Sequence, residues 1–273
     1  MSSIDGSLIV LDGERATRFS TALDTTTHTS HAVKLLVGLE TDVVVRESTG
    51  RTVLAQAVVI PSDRTCSVVS DGPVISLLLD PEQHREPNAV TRHLGHAAPL
   101  GPALALRLRD AVWAARQHLQ NGLHLVALGD ELRAMTFPRT SRPTGFDRRV
   151  ERALEHFHVL LDGGDDTRIG PEQRLGITVQ HLRALFLRDV GISPRAWFLW
   201  NRLVRALRAA LSGSPALTAA AIGAGFSDHA HFSRTCRRLL GFRPVDIVQR
   251  RMPRDLRFVQ DAGSAPAYAR RNP

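Results

Sequence analysis

The sequence has few of the residues that build disulfide scaffolds, zinc sites or membrane segments. Its 273 residues include two cysteines, Cys66 and Cys236, which lie far apart and form no Cys-x-x-Cys pair. This pattern argues against a disulfide framework and against a zinc site, and it is typical of a reducing cytoplasm. No run of about 18 apolar residues is present, and the short apolar stretch Leu8–Leu11 lies between Asp5 and Asp12. We therefore expect a cytoplasmic protein with no signal peptide and no membrane contact.

Lysine is absent from residues 141–273, yet this half is strongly basic. It carries 22 arginines against 12 acidic residues, a balance of +10, whereas residues 1–140 carry 13 Lys and Arg against 15 Asp and Glu, a balance of −2. A near-neutral half joined to a basic half is expected for a sensor linked to a module that binds a polyanion. Biased codon usage is the alternative, but it would act on both halves.

The length suits two domains, and the first half reads as short strands. Segments rich in β-branched residues are separated by turn residues such as Asp-Gly and Pro-Ser-Asp, and they lie at 6–11, 32–37, 42–45, 53–60 and 74–79. This spacing predicts a small β-barrel or sandwich. Residues 98–135 have helical spacing, and these helices either mediate a homodimer or only cover the β-domain.

The remaining boundaries follow from composition. Residues 1–135 are predicted to form a β-rich sensor or dimerisation domain that ends in helices, and the Pro-, Ser- and Arg-rich segment 136–146 a linker. Residues 147–252 read as helical, and 253–273 as a flexible tail. The predicted fold class is α+β with two domains.

The helical half repeats itself at an offset of 50 residues. Six positions match like for like, and the pairs are Leu182 with Phe232, Phe186 with Cys236, Gly191 with Gly241, Pro194 with Pro244, His181 with His231, and Arg188 with Arg238. A common offset indicates a duplicated unit, and two copies make a pair rather than a solenoid.

The second copy has the pattern of a helix-turn-helix unit. A short helix of small residues at 219–223 precedes Gly225, which suits a tight turn, and either Ser227 or Asp228 can cap the next helix. One face of that helix is apolar, and the other is polar and cationic, with Ala230, His231, Ser233, Arg234 and Arg237. The major groove of B-DNA admits such a helix, and arginine can contact guanine through two hydrogen bonds.

The first copy has the same pattern with a less polar outer face. A short helix at 171–175 precedes Gly176, and Thr178 is placed to cap a helix that buries Leu182, Phe186 and Val190. Its outward residues are Gln180, Ala184 and Leu187, with His181 and Arg183 at the flanks. Gln180 can read adenine, whereas Leu187 either touches a thymine methyl or packs against a neighbour. We expect the second unit to discriminate sequence more strongly.

A long helix is predicted between the two units. It begins near Pro194 and continues to about Leu211, with an apolar stripe formed by Trp197, Trp200, Leu203, Val204, Leu207 and Leu211. At about 1.5 Å per residue it would hold the two reading helices in successive major-groove segments. Its opposite side carries Arg202, Arg205 and Arg208, either as a solvated face or as phosphate contacts.

These motifs resemble the AraC/XylS family of transcription regulators. The resemblance is carried by AIGAGFSDHAHFSR at 221–234 with RRLLGFRP at 237–244, and by Gly-Ile-Thr at 176–178 with Gly-Ile-Ser-Pro at 191–194, and it covers about 147–250. It implies base contacts from Gln180, Arg183, Ala230, Ser233 and Arg234. Three features depart from the family pattern: Cys236 replaces an aromatic residue, Glu172 replaces a small one, and Ala184 and Ala230 cannot donate hydrogen bonds.

The first half resembles, more weakly, the cupin-like sensor domains attached to such modules. The likeness lies in residues 31–35, 58–61 and 77–82. A metal-binding cupin needs a His-x-His pair with a glutamate and a further histidine. Here His28 and His31 have the wrong spacing, no histidine occurs from 32 to 83, and His84, His93 and His96 cluster in a predicted loop. We therefore expect no metal and no cofactor.

The leading hypothesis is a regulator, not an enzyme. Its expected partners are double-stranded promoter DNA, an unidentified small-molecule effector and a second copy of the chain, with RNA polymerase as a further candidate. The alternatives are a metal-dependent cupin enzyme with a helical appendage and a nonspecific, nucleoid-type DNA binder. The nonspecific binder explains the charge but not the paired turns.

Overall fold

The computed structural model describes residues 7–12, 15–80, 82, 87, 90–91, 93–118, 122–138, 146–163, 170–211 and 217–244. Strands dominate the first part and helices the second, so the predicted two-domain α+β architecture is confirmed. Most of the predicted linker, His84 and the predicted tail lie outside the described residues. No helix in the described ranges is long and apolar enough to cross a membrane.

The β-domain consists of two antiparallel sheets. The first has six strands, which in spatial order are β1 (Ser7–Asp12), β2 (Arg15–Ser20), β10 (Val74–Leu79), β5 (Val33–Gly38), β8 (Ala57–Ile60) and β11 (Ala98–Pro99). The second has β3 (Leu23–Asp24), β9 (Arg64–Ser70), β6 (Val43–Glu47) and β7 (Thr52–Ala55), and β4 (His28–Ser30) also pairs with β9. A buried cluster that includes Leu36, Val58, Val45 and Val68 joins residues of both sheets. The predicted β-barrel or sandwich is thereby confirmed as a domain of two antiparallel sheets.

One predicted strand is wrong and several were missed. Residues 53–60 were expected to form one strand, but the chain breaks at Gln56, and β7 and β8 belong to different sheets. The apolar run contains no Gly or Pro to signal this crossing, so the sequence pattern hides it. The strands β2, β4 and β9 were missed because they contain many polar residues. Buried and less buried positions alternate along these strands, but apolar and polar residues do not.

Helices α1 (Pro102–Ala115) and α2 (Gly122–Thr136) cover the outer face of the first sheet. Leu108 and Val112 of α1 and Leu128 of α2 are buried in one cluster with strand residues such as Leu35 and Leu77. Arg15 and Asp130 form an ion pair between β2 and α2, with Nη2 and Oδ2 at 2.8 Å. These helices thus cover the β-domain, and the homodimer stays a prediction.

The second half contains six described helices in two small cores. They are α3 (Arg148–Leu161), α4 (Pro171–Arg174), α5 (Val179–Asp189), α6 (Pro194–Leu211), α7 (Leu217–Gly223) and α8 (His229–Leu240). One core contains Phe157, Phe186 and Trp197, and the other contains Trp200 and Phe232. Because α6 supplies a tryptophan to each core, it joins the two units as predicted.

The helical half contacts the β-domain along α6 and at the end of α8. Along α6, Trp200 Nε1 donates to Asp80 Oδ2 and Trp197 Nε1 donates to Glu82 Oε2, both at 2.9 Å. At the end of α8, Thr26 Oγ1 donates to the carbonyl oxygen of Gly241 at 2.8 Å. Helix α8 therefore ends directly against a loop of the β-domain.

Candidate nucleic-acid interface

The second unit is built on a glycine turn and an aspartate cap. Gly225 has φ +85°, a left-handed conformation that favours glycine, and it separates α7 from α8. Of the two residues proposed as caps, Asp228 is the N-cap: its carboxylate accepts from the backbone N–H of His231 at 2.6 Å. Ser227, one residue earlier, instead donates from Oγ to Asp228 Oδ2 at 3.1 Å. The His231 N–H keeps the pKa of Asp228 below its ordinary value.

The two faces of α8 separate as predicted. Phe232, Cys236 and Leu239 are buried, and burial raises the pKa of the Cys236 thiol. Ala230, Arg234 and Arg237 are exposed, whereas His231 and Ser233 are half-buried. The His231 ring packs edge-on against Phe226 at 5.2 Å between centroids, and its Nδ1 lies 3.2 Å from Ser227 Oγ. The arginines are thus presented outward, while His231 mainly stabilises the turn.

The first unit follows the same construction. Gly176 has φ +63°, and Thr178 Oγ1 accepts from the N–H of His181 at 3.1 Å. The buried face of α5 carries Leu182, Leu185 and Phe186, and Val190 is buried at its C-terminal end. The predicted outward residues Gln180, His181, Arg183, Ala184 and Leu187 are all exposed.

The 50-residue repeat is visible in the backbone geometry. Thr178 and Asp228 each accept from the backbone of the residue three positions later. Gly191 and Gly241 follow the two reading helices with φ +87° and +82°. Capping and termination therefore recur at the same offset, which confirms the duplicated unit.

An ion cluster fastens the first unit to α3. Asp147, the N-cap of α3, accepts from Arg149 Nη2 at 2.8 Å and from Arg188 Nη2 at 3.3 Å, and Asp189 Oδ2 accepts from the backbone N–H of Asp147 at 2.7 Å. These donors hold the pKa of Asp147 well below its usual range. Arg149 Nη1 also lies 3.1 Å from His181 Nε2, so His181 is tied to this cluster.

Two arginines of α6, Arg202 and Arg205, are engaged within the protein. Arg205 Nη1 donates to the carbonyl oxygen of Leu161 at 2.6 Å, and its Nη2 pairs with Asp162 at 2.7 Å. The Arg202 guanidinium lies 4.8 Å from the Phe198 ring centroid. Neither arginine is the free solvated residue that the sequence left as one alternative, because spacing along a helix does not show what packs beside it.

The described histidines of the β-domain lie in separate environments. Within the described ranges no three His, Cys, Asp or Glu side chains are placed to hold a metal ion. His28 is buried with its Nε2 2.5 Å from Lys34 Nζ, and His31 pairs with Asp63.

Two contact regions were missed from the sequence. Arg238 and Arg243 line the same pocket as Ser233, Arg234 and Arg237, and this pocket also includes Thr27 of the β-domain. Asp80 and Glu82 accept from the two tryptophans of α6. No local pattern marks Thr27, Asp80 or Glu82, since their partners lie more than 70 residues away. The second arginine of Arg237-Arg238 could have been noticed from its spacing.

The described part of the chain contains two capped helices joined by one long helix, together with a double-sheet domain. This arrangement defines the class of protein: a pair of helix-turn-helix units attached to a β-domain. Residues 172–250 match a family model described as a helix-turn-helix domain. Over 98 residues the chain is 31% identical to the virulence regulon transcriptional activator VirF of Yersinia enterocolitica and to the thermoregulatory protein LcrF of Yersinia pestis. These matches span 36% of this chain and 35% of each relative, about a third of their length.

The fold as a whole is similar to that of a ToxT variant from Vibrio cholerae without ligand. The TM-score is 0.53 at 10% identity, over 87% of this chain and 98% of that one. At this identity the likeness concerns the fold alone. Residues 172–250 therefore form a helix-turn-helix domain, as the sequence signature predicted.

Proposed function

We propose that this chain is a sequence-specific DNA-binding transcription regulator whose β-domain senses a small molecule. The observation that carries the proposal is the pair of capped helices, each with an exposed polar face, held by α6. The family match of residues 172–250 supports the same function. Such a protein acts in the cytoplasm on promoter DNA, with RNA polymerase as a further partner.

Base reading is assigned to outward positions of the two helices, of which Ser233 is half-buried and the others are exposed. Arg234 and Ser233 of α8, and Gln180 and Arg183 of α5, reach bases from the major groove, while Ala230 allows close approach to a thymine methyl. Arg237 and the two flanking histidines, His181 and His231, lie at the edges of these faces. With α6 about 27 Å long, the two helices enter successive groove segments about 34 Å apart.

The test begins with the full chain and its genomic binding sites. Genome-wide footprinting identifies a cognate duplex, and its affinity is compared with that of a scrambled duplex across salt concentrations. We expect tight, salt-dependent binding that bulk competitor DNA does not abolish. Equal affinity for both duplexes would instead support the nonspecific binder.

A single substitution tests the base contact. Arg234→Ala should cost about 1–3 kcal/mol on the cognate duplex and much less on the scrambled one. Arg107→Ala, an exposed arginine on α1, is the matched control. If Arg234→Ala weakens both duplexes equally, Arg234 contacts phosphate. Stoichiometric metal in the purified protein would favour the metal-dependent enzyme.

A further inference from the structure

The outer face of α8 ends in a pocket that both domains line. Its walls are Thr27, Ser233, Arg234, Arg237, Arg238 and Arg243, and its volume is about 360 Å³. Since one water occupies about 30 Å³ of liquid, the pocket has room for a phosphate group with part of its hydration shell.

The chemistry of the lining residues suits a phosphate. Among the described lining residues, four are arginines, two carry hydroxyl groups and none is a carboxylate. Arginine forks and hydroxyl groups are common donors to phosphate oxygens, and arginine binds them through two parallel hydrogen bonds. Asp228, whose pKa is lowered by the His231 N–H and in smaller part by the charge of Arg234, lies at the opposite end of α8 as its N-cap.

Thr27 is held at this pocket by its two neighbours. Thr26 Oγ1 donates to the Gly241 carbonyl oxygen, and His28 Nδ1 lies so close to Gly241 that a Cβ there would be 2.9 Å from it. Gly241 has φ +82°, so α8 ends without a side chain at the point where the loop approaches. Thr27 itself is exposed. The β-domain thus contributes a hydroxyl at a defined position beside the arginines.

The position along α8 favours the DNA backbone over the bases. A helix of 12 residues is about 18 Å long, whereas the major groove is about 12 Å wide. Recognition helices contact bases with their N-terminal residues. The C-terminal half of α8, which carries Arg237 and Arg238, then lies over the edge of the groove, where the phosphates are.

We infer that Thr27, together with Arg237, Arg238 and Arg243, binds a phosphate group, and that the β-domain thereby contacts the DNA backbone directly. This inference rests on the proposed DNA binding, and it names the DNA phosphate as the group that the β-domain contacts. A ligand that shifts the loop at Thr27 changes DNA affinity without touching either reading helix. A free phosphorylated molecule has the same chemistry and is the other source of the phosphate.

Opposite charges at Thr27 test the inference in the full chain. Thr27→Asp should weaken cognate-duplex binding about tenfold and lower the salt slope by about one, and Thr27→Arg should strengthen binding and raise the slope by about one. Thr52→Asp and Thr52→Arg, at an exposed threonine on β7, are the matched controls. Misfolding cannot produce two effects of opposite sign.

The outcomes separate the two proposals. If the Thr27 variants bind the cognate duplex as tightly as wild type and the Thr52 variants do, the backbone contact is overturned and the proposed function stands. If both Thr27 variants strengthen binding, the loop obstructs DNA and the inference is wrong. If Thr27→Asp abolishes only the binding of inorganic pyrophosphate, measured by calorimetry, the phosphate comes from a free molecule and not from DNA. If wild type binds no duplex specifically, the proposed function itself fails.

Discussion

Lys34 Nζ lies 2.5 Å from His28 Nε2 inside the β-domain, and each of the two residues is only 4% exposed to solvent. Lys34 is the only lysine of the chain. Burial, with the Lys34 charge in addition, lowers the pKa of His28 to about 3, and burial lowers the pKa of Lys34 to about 8. Near neutral pH the Lys34 ammonium therefore faces a neutral His28 imidazole. Cys66 acts in the opposite direction to burial, because its charge raises the pKa of Lys34.

This pair predicts a loss of stability in mild acid. Between about pH 6.5 and pH 3 the unfolded chain binds a proton at His28 that the folded chain does not, so the free energy of unfolding falls as pH falls, by at most about 1.4 kcal/mol per pH unit. Urea unfolding from pH 7 to pH 4.5 measures this, above the range in which most carboxylates titrate. His28→Gln should flatten the dependence.

The control is His124→Gln, at an exposed position on α2. It should keep the wild-type pH dependence. Lys34→Met should also reduce the dependence, because the charge that helps to lower the pKa of His28 is removed. A wild-type profile that is flat over this range would contradict the buried, neutral His28.

The capping aspartate of the second unit has two separable effects. Asp228→Ala should lower the free energy of unfolding by about 1 kcal/mol, since a helix N–H loses its acceptor. Asp228→Asn should keep most of that stability, because asparagine also caps well, yet it removes a negative charge beside Arg234. We expect Asp228→Asn to bind scrambled DNA more tightly than wild type. Unchanged affinity would mean that Asp228 lies outside the electrostatic reach of DNA.

The elements that sequence predicted best are those with local determinants. Gly176 and Gly225 adopt the left-handed conformation that only glycine readily takes, and Thr178 caps the helix that follows Gly176. Each of these features depends on neighbours within a few residues, so a short motif suffices to predict it. Cys236 replaces an aromatic residue yet is fully buried, so the smaller side chain kept its place in the core.

The features that sequence did not predict depend on distant partners. The break at Gln56 depends on two sheets that meet there, and the Arg205 contacts depend on the end of α3. Thr27 acquires its position through Gly241, more than 200 residues later. A single sequence supplies no spacing rule for such pairs, and their physical basis is tertiary packing.

Domain docking along α6 depends on two acidic residues. Glu82 accepts from Trp197 Nε1 through one oxygen and lies 3.1 Å from His158 Nε2 through the other, while Asp80 accepts from Trp200. The double substitution Asp80→Ala with Glu82→Ala leaves two indole N–H groups without acceptors. Each indole N–H that stays buried should lower the free energy of unfolding by about 1–3 kcal/mol. We expect a lower melting temperature and a red-shifted tryptophan emission.

The third tryptophan, Trp113, lies on α1 and reports on the β-domain alone. A variant that retains only this tryptophan should show no shift when Asp80 and Glu82 are replaced. If the double replacement changes neither melting nor emission, the two domains do not dock through these residues in solution.

The end of α8 gives the most direct test of the second domain contact. Gly241→Ala carries two penalties: alanine at φ +82° costs about 1 kcal/mol or more, and its Cβ would lie 2.9 Å from His28 Nδ1 and 3.2 Å from Thr25 Cβ. Gly176→Ala is the matched control, because Gly176 has φ +63° and a Cβ there would meet none of the described residues within 4 Å. Gly176→Ala should therefore lower the free energy of unfolding by the conformational penalty alone. Gly241→Ala should lower it further and should speed amide hydrogen exchange in β4. Equal losses, with unchanged exchange in β4, would show that α8 does not rest on the β-domain.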